Sequence, residues 1–141
     1  MQQKYWQDYK GQKLLIRYCE QAPSNTELTP WKPQSLLESL AHLPIGKHDG
    51  LIAKMAARIQ YLADEGQLRS PNHFNTEGEL PNDKHFYAIK IDKLRAYGWF
   101  SSRHKGVFFV SHFAFKKGQK LAKEDSNRVI ENWREFERQE E

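Results

Sequence analysis

The sequence predicts an α+β fold in which an N-terminal strand and two helices precede an antiparallel β-meander and a C-terminal helix. Apolar residues recur at helical spacing before residue 66 and after residue 121, whereas β-type residues separated by short polar breaks fill 85–115. The length of 141 residues is typical of one domain. We therefore expect a single domain over 1–141, made of an N-terminal extension (1–33), a helical part (34–66) and a meander with its terminal helix (84–138).

The N-terminal extension is expected to contain one strand. Residues 13–19 (KLLIRYC) are β-like, and a connector rich in Pro, Ser, Asn and Thr follows as far as Pro33. This part of the chain therefore reads as a strand followed by a loop.

Two helices are predicted next. Ser35 and Glu38 have the spacing of a capping box, which predicts a helix over 35–43 that Pro44 ends. The second helix is predicted over 50–65, since apolar residues recur there over four turns. Its expected N-cap is Asp49 and its expected C-terminal stop is Gly66.

The second half of the chain is predicted to be a loop, three strands and a helix. Residues 67–83 are rich in Pro, Asn, Gly and Asp and are expected to form a loop. The connections after it are too short for crossovers, so the strands form an antiparallel meander. The predicted strands are 85–91, 94–101 and 106–115, and apolar residues at helical spacing predict a terminal helix over 122–138.

Composition excludes several classes of protein. The mean hydropathy is −0.86, and the longest apolar run has about four residues, far fewer than the roughly 20 of a membrane span. A single cysteine, Cys19, leaves no partner for an internal disulfide. We therefore expect a cytoplasmic protein without a membrane partner.

Positive charge is concentrated in one part of the chain. The net charge is +4, but residues 84–123 contain ten Lys and Arg against one acid, Asp92, so this segment alone carries +9. A local field of this sign attracts polyanions, of which nucleic-acid backbones are the commonest.

Common cofactor and metal motifs are missing from the sequence. It contains no GxGxxG, Walker, HExxH, CxxC or GxSxG pattern, and its six histidines include no i, i+4 pair on a helix. We therefore expect neither a cofactor nor a metal.

Alternation along the meander strands predicts a polar sheet face. Arg95, Tyr97 and Trp99 should share one face of the second meander strand. On the third strand, the residues expected to share a face are Val110, His112, Ala114 and Lys116. Such a face suits RNA, because cations neutralise phosphates and aromatic rings stack on bases. The alternative is that the aromatic residues belong to the core and the lysines are only solvated.

The meander and the terminal helix resemble the RelE/ParE toxin superfamily, and most closely its HigB-like, phage-derived branch. The resemblance is carried by HFYAIK at 85–90, by LRAYGWF at 94–100, and above all by the HFAFKKGQK run at 112–120, which is similar to the family's H-x-F-x-K-K-x-x-K signature. Gly98 stands where the family's R-x-x-Y pattern has tyrosine. With the two helices, the resemblance covers about 100 residues and implies a RelE-like fold.

The resemblance also implies a function. It is that of the toxin of a type II toxin–antitoxin system, which cuts messenger RNA on the ribosome through attack of a ribose 2′-OH on the adjacent phosphate. The implied partners are a cognate antitoxin, commonly DNA-binding, together with the ribosome and mRNA. Two alternatives remain open, a ParE-like toxin that inhibits a topoisomerase by binding and a nonenzymatic nucleic-acid-binding module.

Candidate site residues follow from the motif match and from the meander. The match assigns phosphate binding to Arg95, proton transfer to His112 and a catalytic contact to Lys117. His85 on the first meander strand is a further candidate. The residues expected to contact RNA are Lys90, Lys116, Lys120, Tyr97 and Trp99.

Overall fold

The computed structural model describes residues 5–23, 31–68, 72–118 and 121–137. The strands are β1 (Tyr9–Lys10), β2 (Leu15–Tyr18), β3 (Phe74–Glu79), β4 (His85–Ile91), β5 (Leu94–Phe100) and β6 (Val107–Phe115). The helices are α1 (Gln34–Leu40), α2 (His48–Glu65), preceded by a 3₁₀ turn over Ile45–Lys47, and α3 (Lys123–Phe136). None of the helices in these ranges is long and apolar enough to cross a membrane.

The six strands form one mixed sheet in the order β1-β2-β6-β5-β4-β3. The predicted α+β class and the antiparallel meander β4-β5-β6 are confirmed. Asp92, at φ 51°, lies in the two-residue turn expected between β4 and β5. The sheet is mixed because β2 pairs parallel to β6, with Leu15 opposite Val107. The N-terminal segment is thus part of the same sheet as the meander.

Helices cover the two faces of the sheet differently. Helices α1 and α2 pack on one face, where Met55, Ile59 and Leu62 of α2 are fully buried. The helical spacing of these residues confirms the predicted second helix, and Gly66 ends it in the left-handed conformation at φ 81°. Helix α3 packs on the opposite face through Val129 and its neighbours. We call these the two-helix face and the α3 face.

A β-bulge in β6 changes which residues share a face. Tyr97 pairs with His112, but the next residue, Gly98, pairs with Val110, so Ser111 is an extra residue on β6. Val110 consequently packs in the core beneath the two-helix face, while His112 lies beside Tyr97 on the α3 face. The prediction that Val110 and His112 share a face is therefore wrong.

Helix α3 is held to the sheet at both ends. Near its start, Asp125 Oδ1 lies 2.9 Å from His112 Nε2. At its end, the buried Glu137 accepts hydrogen bonds from the Ser101 hydroxyl and from the backbone N–H of Ser102 and Arg103, at 2.5, 2.8 and 3.2 Å. Charged acceptors of this kind make stronger hydrogen bonds than neutral ones. The helix is therefore fixed along the sheet.

The predicted N-caps of the two helices are wrong, although both helices begin within two residues of the predicted start. Helix α1 begins at Gln34 after Pro33 and has no side-chain cap, and α2 begins at His48, one residue before the expected cap Asp49. Ser35 acts elsewhere, because its hydroxyl donates to Glu20 and accepts the backbone N–H of Phe113 at 2.8 Å. Ser35 thereby supplies a hydrogen-bond acceptor for a backbone N–H of β6 that lies past the end of β2.

Other boundaries also differ from the prediction. The segment 67–83, expected to be a loop, contains the edge strand β3, and the N-terminal extension contains β1 as well as the expected β2. Helix α1 ends at Leu40 rather than at residue 43. Short strands of mixed polarity carry little periodicity, because tertiary pairing rather than pattern places them in the sheet.

Gly98→Ala is expected to destabilise the fold. A Cβ at Gly98 would overlap the backbone oxygen of Phe109 and lie 2.6 Å from the ring of Phe108. Overpacking of this kind costs about 1–3 kcal/mol. Urea denaturation should show this loss, while Gly46→Ala, whose Cβ meets nothing within 4 Å, should leave the free energy of unfolding nearly unchanged. Equal stability of the two variants would contradict the packing at Gly98.

Candidate functional site

The α3 face of the sheet has an apolar part and a polar part. The side chains of α3 cover the apolar part, where Trp99 and Phe109 stack with ring centroids 5.2 Å apart. The rest of this face carries polar side chains, and we call it the polar face. Its members are Glu77 of β3, Lys90 of β4, Arg95 and Tyr97 of β5, and Lys116 just after β6.

Strand register brings these residues together. Lys90 pairs directly with Arg95, and on the other side Arg95 pairs with Ala114 of β6, two residues before Lys116. Directly opposed residues have Cβ atoms about 4.5–5.5 Å apart, so three cationic side chains occupy neighbouring positions on one face. The structure thus brings together three of the residues that the sequence predicted to contact RNA or phosphate.

Glu77 is a member of the polar face that sequence reasoning missed. A register shift between Thr76 and Gly78 places it in a bulge of β3, and its side chain is only 8% exposed. Asn75 donates a hydrogen bond to Glu77 Oε2 at 3.0 Å, and Lys116 Nζ lies 4.0 Å from Oε1. An enclosed carboxylate therefore stands among the cations. The only sequence signal was its position before a meander, inside a segment expected to be a loop.

Lys90 has an altered protonation equilibrium. Partial burial lowers the pKa of its ammonium group, and the charges of Arg95 and Lys116 lower it further, while Glu77 acts in the opposite direction. A lysine in this environment releases its proton more readily than a free lysine. Lys90 is therefore suited to proton transfer as well as to charge neutralisation.

Arg95 is partly engaged by the backbone. Its Nη1 donates hydrogen bonds to the carbonyl oxygens of Asp92 at 2.6 Å and Leu94 at 3.2 Å, while its buried Nε has no partner among the described residues. These bonds orient the guanidinium group beside a cavity of about 230 Å³ lined by Lys93, Arg95, Lys116, Lys117 and Gly118. With four cationic side chains in its lining, this cavity is suited to a phosphate group. We call it the cationic cavity.

His112, expected to transfer a proton to or from a substrate, is enclosed instead. It is 1% exposed, with Ser111 Oγ 2.9 Å from Nδ1 and Asp125 Oδ1 2.9 Å from Nε2. Asn132 donates to Ser111 Oγ at 2.8 Å, so the hydroxyl can donate to Nδ1 while Nε2–H donates to Asp125. With a neutral imidazole, each of these three hydrogen bonds has one donor and one acceptor. His112 thus positions Asp125 and α3 rather than facing a ligand.

Tyr97 and Trp99, expected to stack on bases, are core residues in the structure. Trp99 is fully buried and Tyr97 is 1% exposed, so neither ring offers a free face. This is the alternative that the sequence left open. The pKa of the Tyr97 hydroxyl is raised by burial and further by Asp125 and Glu77, so the hydroxyl stays protonated.

The remaining predicted residues are dispersed. Lys117 is exposed and lines the cationic cavity. His85 is exposed near the start of β4, and alternation places it on the face opposite Lys90. Lys120 lies outside the described residues.

The polar face carries side chains that can neutralise charge and side chains that can exchange protons. Within the part of the chain that the structure describes, no three His, Cys, Asp or Glu side chains are grouped so that they could hold a metal ion. The polar face itself offers cations for an anion, a carboxylate that can accept a proton and an ammonium group that can release one.

No protein-family model, curated protein or solved structure matches this chain.

Removal of the Asp125 carboxylate is expected to loosen α3. In Asp125→Ala the buried Nε2–H of His112 loses its acceptor, which costs about 1–3 kcal/mol of unfolding free energy. Asp125→Asn should lose less, because the amide oxygen still accepts this bond. Thermal or urea unfolding measures both, with the exposed Glu124→Ala as control. If Asp125→Ala were as stable as this control, the contact would not hold the helix.

The lowered pKa of Lys90 predicts an alkaline loss of anion binding. As the pH rises toward 10.5, the ordinary pKa of lysine, Lys90 loses its charge earlier than exposed lysines do, so affinity for a polyanion should fall first through this residue. Lys90→Arg keeps the charge and should move this loss to higher pH. Titration of oligonucleotide binding between about pH 7 and 10 measures the effect. If the pH profiles of oligonucleotide binding were the same for the wild type and Lys90→Arg, deprotonation of Lys90 would not cause the loss of binding.

Proposed function

We propose that this protein is a ribosome-dependent mRNA endoribonuclease, the toxin of a type II toxin–antitoxin system. One observation carries the proposal, namely the enclosed carboxylate of Glu77 among Lys90, Arg95 and Lys116. The +9 charge of segment 84–123 and its resemblance to the RelE/ParE superfamily support the same conclusion.

The phosphate is the first element of the proposed reaction. Cleavage begins when a ribose 2′-oxygen attacks the adjacent phosphorus, which places additional negative charge on the phosphoryl oxygens. Arg95 and Lys116 line the cationic cavity and neutralise this charge. The Nη2 group of Arg95, which no described backbone oxygen engages, donates to a phosphoryl oxygen.

Proton transfer is the second element. The 2′-OH proton passes to the carboxylate of Glu77, the new O–P bond forms, and the bond from phosphorus to the 5′-oxygen breaks. The leaving 5′-oxygen takes a proton from the ammonium group of Lys90, whose pKa is lowered by burial and neighbouring charge. The products are a 2′,3′-cyclic phosphate and a 5′-hydroxyl. This scheme needs neither a cofactor nor a metal.

The partners follow from the same proposal. The basic surface that binds RNA also attracts an acidic segment of a cognate antitoxin, which blocks access to the polar face. The ribosome presents the messenger RNA to the site. The enclosed His112 supports this site indirectly, by holding Asp125 and the start of α3.

Induced expression of the wild type is expected to arrest growth and to produce new mRNA ends inside translated codons. Arg95→Ala should lower the cleavage rate in a translating extract by about 10²–10³, the scale for losing one charge-stabilising donor. Lys54→Ala, an exposed lysine on α2, is the control and should cleave normally. Arrest without cleavage would instead favour topoisomerase inhibition, and no arrest would favour a nonenzymatic nucleic-acid-binding module.

Glu77→Gln separates catalysis from binding. It should lower the cleavage rate by about 10²–10⁴, the range for a general base, while RNA affinity stays equal or rises because a negative charge is removed. Glu79→Gln, an exposed change on the same strand, is the matched control. The measurements are single-turnover cleavage and RNA binding by anisotropy. Unchanged cleavage by folded Glu77→Gln would remove Glu77 from the mechanism.

A further inference from the structure

A second cavity adjoins the cationic cavity. It has a volume of about 350 Å³ and shares the wall formed by Lys116, Lys117 and Gly118. Its other walls include Tyr97, Glu124 and Asp125. We call it the mixed cavity, since it has cations on one side and carboxylates on the other. A ligand that spans the shared wall would place an anionic group in the cationic cavity and a group rich in N–H donors in the mixed one.

Tyr97 contributes a hydroxyl group to the lining of the mixed cavity. Its side chain is almost completely buried at 1% exposure, yet it lines this cavity, and its hydroxyl has no hydrogen-bond partner among the described residues. The hydroxyl group is therefore free to pair with a ligand that enters the cavity. Its raised pKa keeps the proton on the oxygen, so the group can donate to a ligand acceptor.

Asp125 supplies the complementary acceptor. Its Oδ1 is held by His112 Nε2 at 2.9 Å, which fixes the carboxylate, while Oδ2 has no partner within the described part of the chain. Glu124 is exposed in the same wall. The cavity therefore presents one hydroxyl donor beside carboxylate acceptors.

We propose that the mixed cavity is a base-recognition pocket for guanine in single-stranded RNA. The Watson–Crick edge of guanine carries a carbonyl acceptor, O6, followed by two donors, N1–H and the N2 amino group. Tyr97 donates to O6, and the carboxylate of Asp125 accepts from N1–H and N2–H. The phosphate of the same nucleotide lies in the cationic cavity. This inference rests on the proposed function, whose site it extends from cleavage chemistry to base choice.

Inosine tests the proposal, because it differs from guanosine only by lacking the N2 amino group. The probes are fluorescein-labelled oligouridylates that carry one central guanosine or one central inosine. Binding to the full-length protein is measured by anisotropy at fixed, low salt, without ribosomes and under conditions in which cleavage is not required. The wild type should bind the guanosine probe about tenfold or more tightly than the inosine probe, since one hydrogen bond to a charged group is at stake.

Variants assign the contacts. Asp125→Asn keeps an acceptor for His112 and should reduce guanosine binding to the inosine level. Tyr97→Phe should weaken both probes equally, since both carry O6. Glu131→Gln, an exposed change on α3 away from the cavity, is the control and should retain the preference. Circular dichroism establishes that each variant is folded.

The wild-type ratio decides the proposal even if a variant fails to fold. Equal affinities for the two probes, or no binding of either, would overturn it. If the two probes bind with equal affinity and Arg95→Ala weakens both, the cations bind phosphate without distinguishing the base. The proposed cleavage function would then remain intact. A guanosine preference without cleavage on ribosomes would support the pocket and overturn the enzymatic function instead.

Discussion

The structure of the candidate site depends on one irregular step in the sheet, where β5 and β6 slip by one residue between Tyr97 and Gly98. The extra residue, Ser111, brings His112 onto the α3 face, where the imidazole meets Asp125. The step also needs a residue without a side chain, since Gly98 lies against the backbone of Phe109. The bulge therefore sets the register of β5 against β6, and it requires glycine at position 98.

The contacts that hold α3 to the sheet also determine where the apolar part of the α3 face ends and the polar face begins. Because the helix is bound through Asp125 near its start and Glu137 at its end, its apolar side chains cover a fixed part of the sheet. The polar face begins where that cover stops. Lys90 and Arg95 are thus close to the core, which partly removes them from water and strengthens their electrostatic coupling. A surface patch of lysines would lack this coupling.

Much of the fold and part of the site could be predicted from the sequence. Helix α2 and the meander follow from periodicity, and alternation correctly placed Arg95 and Tyr97 on one face. Alternation failed at Ser111 and gave no indication of Glu77, because both residues lie at register shifts and a bulge breaks the period on which such reasoning depends. The burial of His112 could not be predicted from the sequence either, because its partner Asp125 belongs to a separate helix.

The parallel pairing of β2 with β6 has a consequence for biosynthesis. Leu15 and Val107 are partners although 92 positions separate them along the chain. Such a contact is slow to form, and at a synthesis rate of about 5–20 residues per second the N-terminal strand waits for several seconds before its partner exists. The basic strands β5 and β6 are also completed late. A chain interrupted before β6 is synthesised therefore never assembles the polar face, so such an abortive product would lack the surface on which the proposed activity depends.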